Sequence, residues 1–174
     1  MSLPILPLLP LPSLLSLPII SNEQQNIVDI LKNGKNIIVN AVAGSGKTSV
    51  VLHIGIQNPN LRILQITYNS ELKIEVRNKV QSLSINNIDV HSYHSLATTF
   101  YDKSAHTDII MHNICKNNKQ ISANKKHNNK YDIIIIDELQ DATKLYCTFF
   151  KKFIIDSNNI NSQFMFIGDS WQCI

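Results

Sequence analysis

Two short runs in this chain carry residue types that handle phosphate and metal. The first is Ala41-Val-Ala-Gly-Ser-Gly-Lys-Thr48. It follows an apolar run from Asn36 to Asn40 and precedes Ser49 to Ile56, which can be helical. A strand, a glycine-rich turn and a helix opening on Lys-Thr make a cradle for phosphates. Gly44 and Gly46 let the backbone pass close to a ligand, where a Cβ would clash. Ala41, Val42, Ala43 and Ser45 complete the turn, whose N–H groups can aim at one point, and the helix start adds its positive dipole end. Lys47 can reach the β- and γ-phosphates, and the Thr48 hydroxyl can ligate Mg²⁺. The general pattern has glycine where Ala41 stands. A tight strand–helix connection is the bland alternative for such a Gly-Ser-Gly turn.

The second run lies about ninety residues downstream: Tyr131-Asp-Ile-Ile-Ile-Ile-Asp-Glu-Leu-Gln-Asp141. An unbroken β-branched run suits a strand buried on both faces of a parallel sheet. In such sheets ligands bind beyond the carboxyl ends of the strands. Asp137 and Glu138 stand at that end, as the phosphate loop does on its own strand. Asp137 can hold Mg²⁺, which uses few carboxylates and keeps several waters. Glu138 can orient and deprotonate an attacking water, while the metal and Lys47 neutralise charge on the transferring phosphoryl group. The competing reading is a helix cap, with Asp137 or Asp141 capping the next helix.

At this point the chain resembles superfamily 1 helicases of the UvrD/Rep type. Asp137-Glu-Leu-Gln-Asp141 fits their Asp-Glu-x-Gln-Asp motif, and their phosphate loop, Ala-x-Ala-Gly-Ser-Gly-Lys-Thr, accounts for Ala41. Ser21-Asn-Glu-Gln24 resembles their N-terminal glutamine motif, which implies that Gln24 recognises adenine. Thr67-Tyr68-Asn69 resembles motif Ia and Ser92-Tyr-His-Ser95 motif Ib, which implies DNA contacts from Thr67, Tyr68, Asn69, Ser92 and His94. Gly168-Asp-Ser-Trp-Gln-Cys-Ile174 resembles motif III, which implies that Gln172 couples the γ-phosphate to DNA. The short middle region and His94-Ser-Leu-Ala97 point within the family to the F-box helicase branch and viral relatives. The resemblance spans Ser21 to Ile174, in motif order. It implies ATP and Mg²⁺ as cofactors, single-stranded DNA as partner, and 3′-to-5′ translocation coupled to ATP hydrolysis.

Several of these residues have plainer readings. Ser21-x-x-Gln24 is also a capping box ahead of the helical pattern Ile27, Ile30, Leu31. Tyr68 at a strand end can pack, or can stack on a base, which suits single strands. His94 unaided reads as a loop histidine. Trp171 can pack or stack.

The elements needed to position these groups are legible. Strands are expected at Ile37–Asn40, Leu61–Tyr68, Ile88–His91, Ile133–Asp137 and Gln163–Gly168. Helices are expected near Thr48–Ile56, Ser70–Leu83, His94–Tyr101, Thr107–Cys115 and Thr143–Ile155. Leu72, Val76, Val80 and Leu83 share one face at helical spacing. Strands alternating with helices mean an α/β fold, a parallel sheet with helices on both faces of the P-loop NTPase (RecA-like) kind. A chain of 174 residues suits one domain. The expected organisation is a disordered or extended Leu/Pro-rich leader at 1–20, a first RecA-like domain at 21–174 and, within it, a reduced 1B-like insertion at 102–130. The second RecA-like domain, with its arginines, is absent from this sequence. The resemblance therefore implies an isolated chain that binds ATP, hydrolyses it slowly and does not unwind, with a separate polypeptide as a candidate source of the missing lobe.

Composition narrows the field less. Residues 1–20 are Leu/Pro-rich and uncharged, and Pro4, Pro7, Pro10, Pro12 and Pro18 break any helix, so neither a signal peptide nor a membrane span is expected. Lys116 to Lys130 reads as a solvated loop or as a phosphate-contacting arm. Net charge is +3, too mild to argue for nucleic acid. Cys115, Cys147 and Cys173 are odd in number and far apart, which suits a reduced, intracellular setting. His106, His112 and Cys115 lack an evident fourth ligand for zinc. Two other function classes stay open: a non-catalytic, nucleotide-gated DNA binder or decayed remnant, and another P-loop ATPase such as a kinase. Gln140 and the Gly168–Ile174 run speak against the kinase.

Overall fold

The computed structural model describes residues 17–42, 44–68, 70–123 and 129–169. The leader up to residue 16, Ala43, Asn69, Lys125, Lys126, Trp171 and Gln172 lie outside the described residues. In chain order the elements are α1 (Asn22–Lys32), β1 (Ile37–Asn40), α2 (Lys47–Gln57), β2 (Ile63–Thr67), α3 (Ser70–Ser82) and β3 (Ile88–Ser92). They continue with α4 (Tyr93–Phe100), α5 (Asp108–Lys116), β4 (Ile133–Ile136), a 3₁₀ turn (Leu139–Asp141), α6 (Lys144–Asp156) and β5 (Gln163–Gly168).

Helix starts follow local chemistry. Ser21 and Gln24 close a reciprocal capping box on α1, as their spacing predicts. Ser92, Thr107 and Thr143 each accept a first-turn N–H at the starts of α4, α5 and α6. Thr143 rather than Asp137 or Asp141 caps α6, so the acids are not spent on that helix.

The strands form one parallel sheet in the order β1-β5-β4-β2-β3. Alternation along the strands divides the core. Ile63, Ile133, Ile135, Met165 and Ile167 face α1, α2 and α3. Leu64, Ile66 and Ile134 face α4, α5 and α6 around Leu96, Met111 and Phe149. Helices cover both faces of β4, and that is why all four of its isoleucines are buried. Cover thins at the β1 edge, where Ile38, beside Phe166 in register, is 77 % exposed.

Two expected segments are better integrated than composition suggests. Leu17 and Ile20, at the end of the leader, pack on the α1–α3 side, and the Pro18 carbonyl lies 3.0 Å from His53 Nε2. Within 102–130, α5 contributes Met111 and Ile114 to the core. In the lysine-rich stretch, Lys119 pairs with Asp102 and Lys130 donates to the Asn158 carbonyl, so two of its cations serve internal contacts. No helix among the described residues is long and apolar enough to cross a membrane.

Candidate nucleotide site

Because every strand runs the same way, their carboxyl ends share one rim. The phosphate loop follows β1, Asp169 follows β5, Asp137 and Glu138 follow β4, and Tyr68 follows β2. The spacer in this row is β5, which stands between the phosphate-loop strand and the acid strand.

The loop takes the backbone shape its glycines permit. Gly44 has φ +78° and Gly46 has φ +86°, both left-handed. Gly46 also has no room for a side chain, since a Cβ there would stand 2.5 Å from Gln24 Nε2. That amide donates to the Ser45 carbonyl at 3.4 Å. Gln24 thus does two jobs: its Oε1 caps α1 and its Nε2 braces the loop. A cavity of about 300 Å³ opens here, lined by Gln24, Ile27, Val39, Ala41, Val42 and Lys47. Gly46→Ala should cost about 1–2 kcal/mol from the left-handed backbone alone and push Gln24 aside. A lowered unfolding temperature and a weaker nucleotide titration together would show this.

Lys47 and Glu138, 91 positions apart in sequence, meet across the rim. The ammonium is 2.8 Å from both carboxylate oxygens, and the two side chains are only 11 % and 19 % exposed. Glu138 holds a left-handed backbone, φ 53° and ψ 51°, which costs a non-glycine residue about 1–2 kcal/mol. Its N–H donates to Asp137 Oδ1 at 3.0 Å, which fixes the turn. Such stored strain gathers at working sites. Gln140 ties this acid to the next strand: its Nε2 donates to Glu138 Oε2 at 2.7 Å, and its Oε1 accepts from the Asp169 N–H at 3.1 Å. Gly168 leaves room for this link, since a Cβ there would stand 2.9 Å from Gln140 Oε1 and push the amide aside.

Asp137 is buried, 6 % exposed. Burial first, and then the Glu138 charge, push its carboxyl up from 3.8 to about 6, against the pull of Lys47. Gln65, buried in β2, donates to Asp137 Oδ2 at 3.4 Å, and its own Oε1 has no partner among the described residues. Between about pH 4 and 6 the folded chain keeps a proton that the unfolded chain has released. Ionising Asp137 therefore weakens the fold as pH rises through that window, and the cost persists above it. Asp137→Asn should raise the unfolding temperature at pH 7.5 and change it little at pH 4, which paired thermal melts without Mg²⁺ would reveal.

The donor chemistry fits Mg²⁺ and a nucleoside triphosphate. Hard oxygens are on offer from Thr48 and Asp137, with room for phosphate made by two glycines. Thr48 sits on the first turn of α2, and among the described residues no hydrogen bond joins it to Asp137.

The expected DNA contacts are placed less uniformly. Tyr68 is 39 % exposed at the end of β2, whereas Thr67 is buried below it. Ser92 is buried as the cap of α4. His94 Nε2 lies 3.0 Å from Asp108 Oδ1 at the mouth of a second cavity. Sequence reasoning passed over Gln65, Lys73 and Tyr146. The only signal for Gln65 was one polar residue inside the apolar run Ile63–Ile66.

A family model described as an AAA domain matches residues 24–174. No curated protein matches the chain. Among solved structures, it is similar to a Pif1 helicase described in DNA unwinding at forked double-stranded DNA by two coordinating copies (TM-score 0.60, 18 % identity). It is also similar to Pif1 helicase from Candida albicans (TM-score 0.55, 16 % identity). Each likeness covers 88 % of this chain, which spans about a third of the helicases, 34 % and 33 % of their lengths. At such identity the likeness speaks to the fold alone, a P-loop NTPase domain with helices on both faces of a parallel sheet. The family match runs from Gln24 through the phosphate loop and the acid strand to the end of the chain, and on that extent the chain belongs to the AAA domain family.

Proposed function

We propose that the chain is the ATP-binding first domain of a superfamily 1 DNA helicase, which couples ATP hydrolysis to movement along single-stranded DNA. The observation that carries this reading is the Lys47–Glu138 pair, held at 2.8 Å across the strand ends beside a glycine cradle. In this reading Lys47 grips the β- and γ-phosphates and the loop N–H groups receive their oxygens, while Gln24 meets the base by giving up its contact with the Ser45 carbonyl. Glu138 is the general base for water, with Gln140 fixing its orientation. Thr48 and Asp137 would hold Mg²⁺, which supplies charge neutralisation on the phosphates when bound.

The UvrD/Rep branch, the F-box or viral subgroup and 3′-to-5′ polarity rest on the motif resemblance alone, since the fold neighbours are Pif1 helicases. The motif resemblance implies a second RecA-like lobe outside these 174 residues, in the same or another polypeptide. An arginine supplied across a cleft contributes about 10³–10⁵ in related P-loop enzymes. The chain by itself should therefore turn over ATP slowly.

ATP turnover by the purified chain with Mg²⁺, with and without single-stranded DNA, tests the proposal. Slow turnover that DNA stimulates supports it. ATP binding with no turnover under either condition favours the nucleotide-gated DNA binder, and absence of ATP binding removes both readings.

A further inference from the structure

We propose that the open edge of β1 pairs with the same edge of a second copy of this chain, the two strands running antiparallel through Ile38. The pairing does not depend on what the nucleotide site binds. It follows from the unlike treatment of the two edges of the sheet.

The β3 edge is guarded. Arg77, on α3, donates from Nε to the Val90 carbonyl at 2.8 Å and so fills an acceptor that a further strand would need. Asp89 puts a half-exposed carboxylate on the same strand, paired with Arg62 at 3.0 Å. Charged side chains and covered backbone groups are devices that keep a sheet edge from pairing with another chain.

The β1 edge has neither. Among the described residues β1 pairs with β5 alone. The Ala41 N–H donates to the Gly168 carbonyl at 2.9 Å, so by alternation the backbone groups of Ile38 point away from β5, to the open side. From Ile37 to Val42 there is no charged residue and no proline. The Ile38 side chain stands largely in solvent, and Val42 is half-exposed. Next to Ile38 in register lies Phe166, which stacks on Phe164 at 6.2 Å, so the edge continues into an apolar strip on one face of the sheet. A cavity of about 450 Å³ at the carboxyl end of the strand, lined by Ile38, Val39 and Leu139 among others, extends the strip.

Charge selects the occupant. The chain carries a net charge of +3, so two copies repel through their charged surfaces and can meet without that cost along a neutral strip. A foreign partner would find no charge here to choose it by. A twofold axis passing through the sheet at Ile38 keeps both apolar strips on one face. It sets Ile38 of one copy against Ile38 of the other, and Ile37 against Val39. Such a contact is isologous, each copy giving what it receives. It satisfies the outward backbone groups of both Ile38 residues and lets each side chain cover the other. Because β1 runs directly into the phosphate loop, the pairing also steadies the strand that carries the loop and aims the two nucleotide sites in opposite directions.

Sedimentation velocity of the whole chain over a wide concentration series tests this. The wild type should pass from monomer to dimer as concentration rises. Ile38→Lys and Ile38→Glu should each weaken dimerisation at least about tenfold, because like charges then stand directly opposite each other. An equimolar mixture of the two variants should recover most of the association, since opposite charges now meet at the same place. Ile109→Lys, at an exposed isoleucine on α5, should dimerise as the wild type does. Thermal melts check that each variant is folded, and the exposure of Ile38 makes both changes compatible with the fold. A wild type that stays monomeric at every concentration overturns the inference and leaves the edge to another chain. A dimer that both Ile38 variants retain, or that Ile109→Lys loses, overturns it too, as does a mixture no better than either variant alone.

Discussion

Replacing Lys47 with alanine should reduce Mg·ATP affinity at least about a hundredfold, because a charge-assisted phosphate contact contributes about 1.5–3 kcal/mol and Lys47 can make more than one. A second effect runs with it. In the structure the ammonium neutralises Glu138, which is largely buried. Without Lys47 that carboxylate keeps only Gln140 as a side-chain hydrogen-bond donor among the described residues. The fold should lose about 1–2 kcal/mol, the cost of leaving such a group short of partners. Titration with a fluorescent ATP analogue and a thermal melt read the two losses separately. Unchanged nucleotide affinity would sink the site assignment outright.

Glu138→Gln should do the opposite to binding. The ammonium that must grip phosphate is committed to Glu138 at 2.8 Å, so ATP has to displace a carboxylate before it can use Lys47. Glutamine keeps the shape and the Gln140 contact while removing the competing charge. Affinity for Mg·ATP should stay level or rise a few-fold, up to about tenfold, which is about 1.4 kcal/mol. Turnover should fall by about 10²–10⁴, the usual contribution of a positioned general base. Single-turnover kinetics beside an equilibrium titration separate the two. Loss of binding equal to the loss of turnover would mean that Glu138 shapes the site rather than working in it.

The sheet and both halves of the nucleotide site could be read from the chain because their signals are local and strong. Four consecutive isoleucines permit little besides a strand buried on both faces, and Gly-Ser-Gly before Lys-Thr marks the turn. The order of the strands was not legible. Nothing in the residues of β5 states that it lies between β1 and β4, since parallel pairing is settled by long-range packing. For the same reason Gln65 and Tyr146 stayed hidden: each matters through a partner far away in sequence, Asp137 and Tyr68. Thr67 is placed differently from its motif neighbour: helices cover both faces of β2 and bury it, whereas Tyr68 stands half-exposed just past the strand end. The acidic pair offered capping as an alternative, and Thr143 took that role because an uncharged hydroxyl at the right spacing was nearer to α6.

Gln140 also couples two distant parts of the rim. Its two amide ends make a rigid two-ended link, one on the Glu138 carboxylate and one on the backbone at Asp169. A displacement of the chain just past β5 is thus a single hydrogen bond away from the orientation of the base that activates water. Any coupling carried by this link would be reciprocal: the free energy with which a ligand at Glu138 biases the chain at Asp169 equals that with which a ligand at Asp169 biases Glu138. The route between the hydrolytic acid and the end of β5 is therefore one side chain, and Gln140→Ala would cut it without touching either strand.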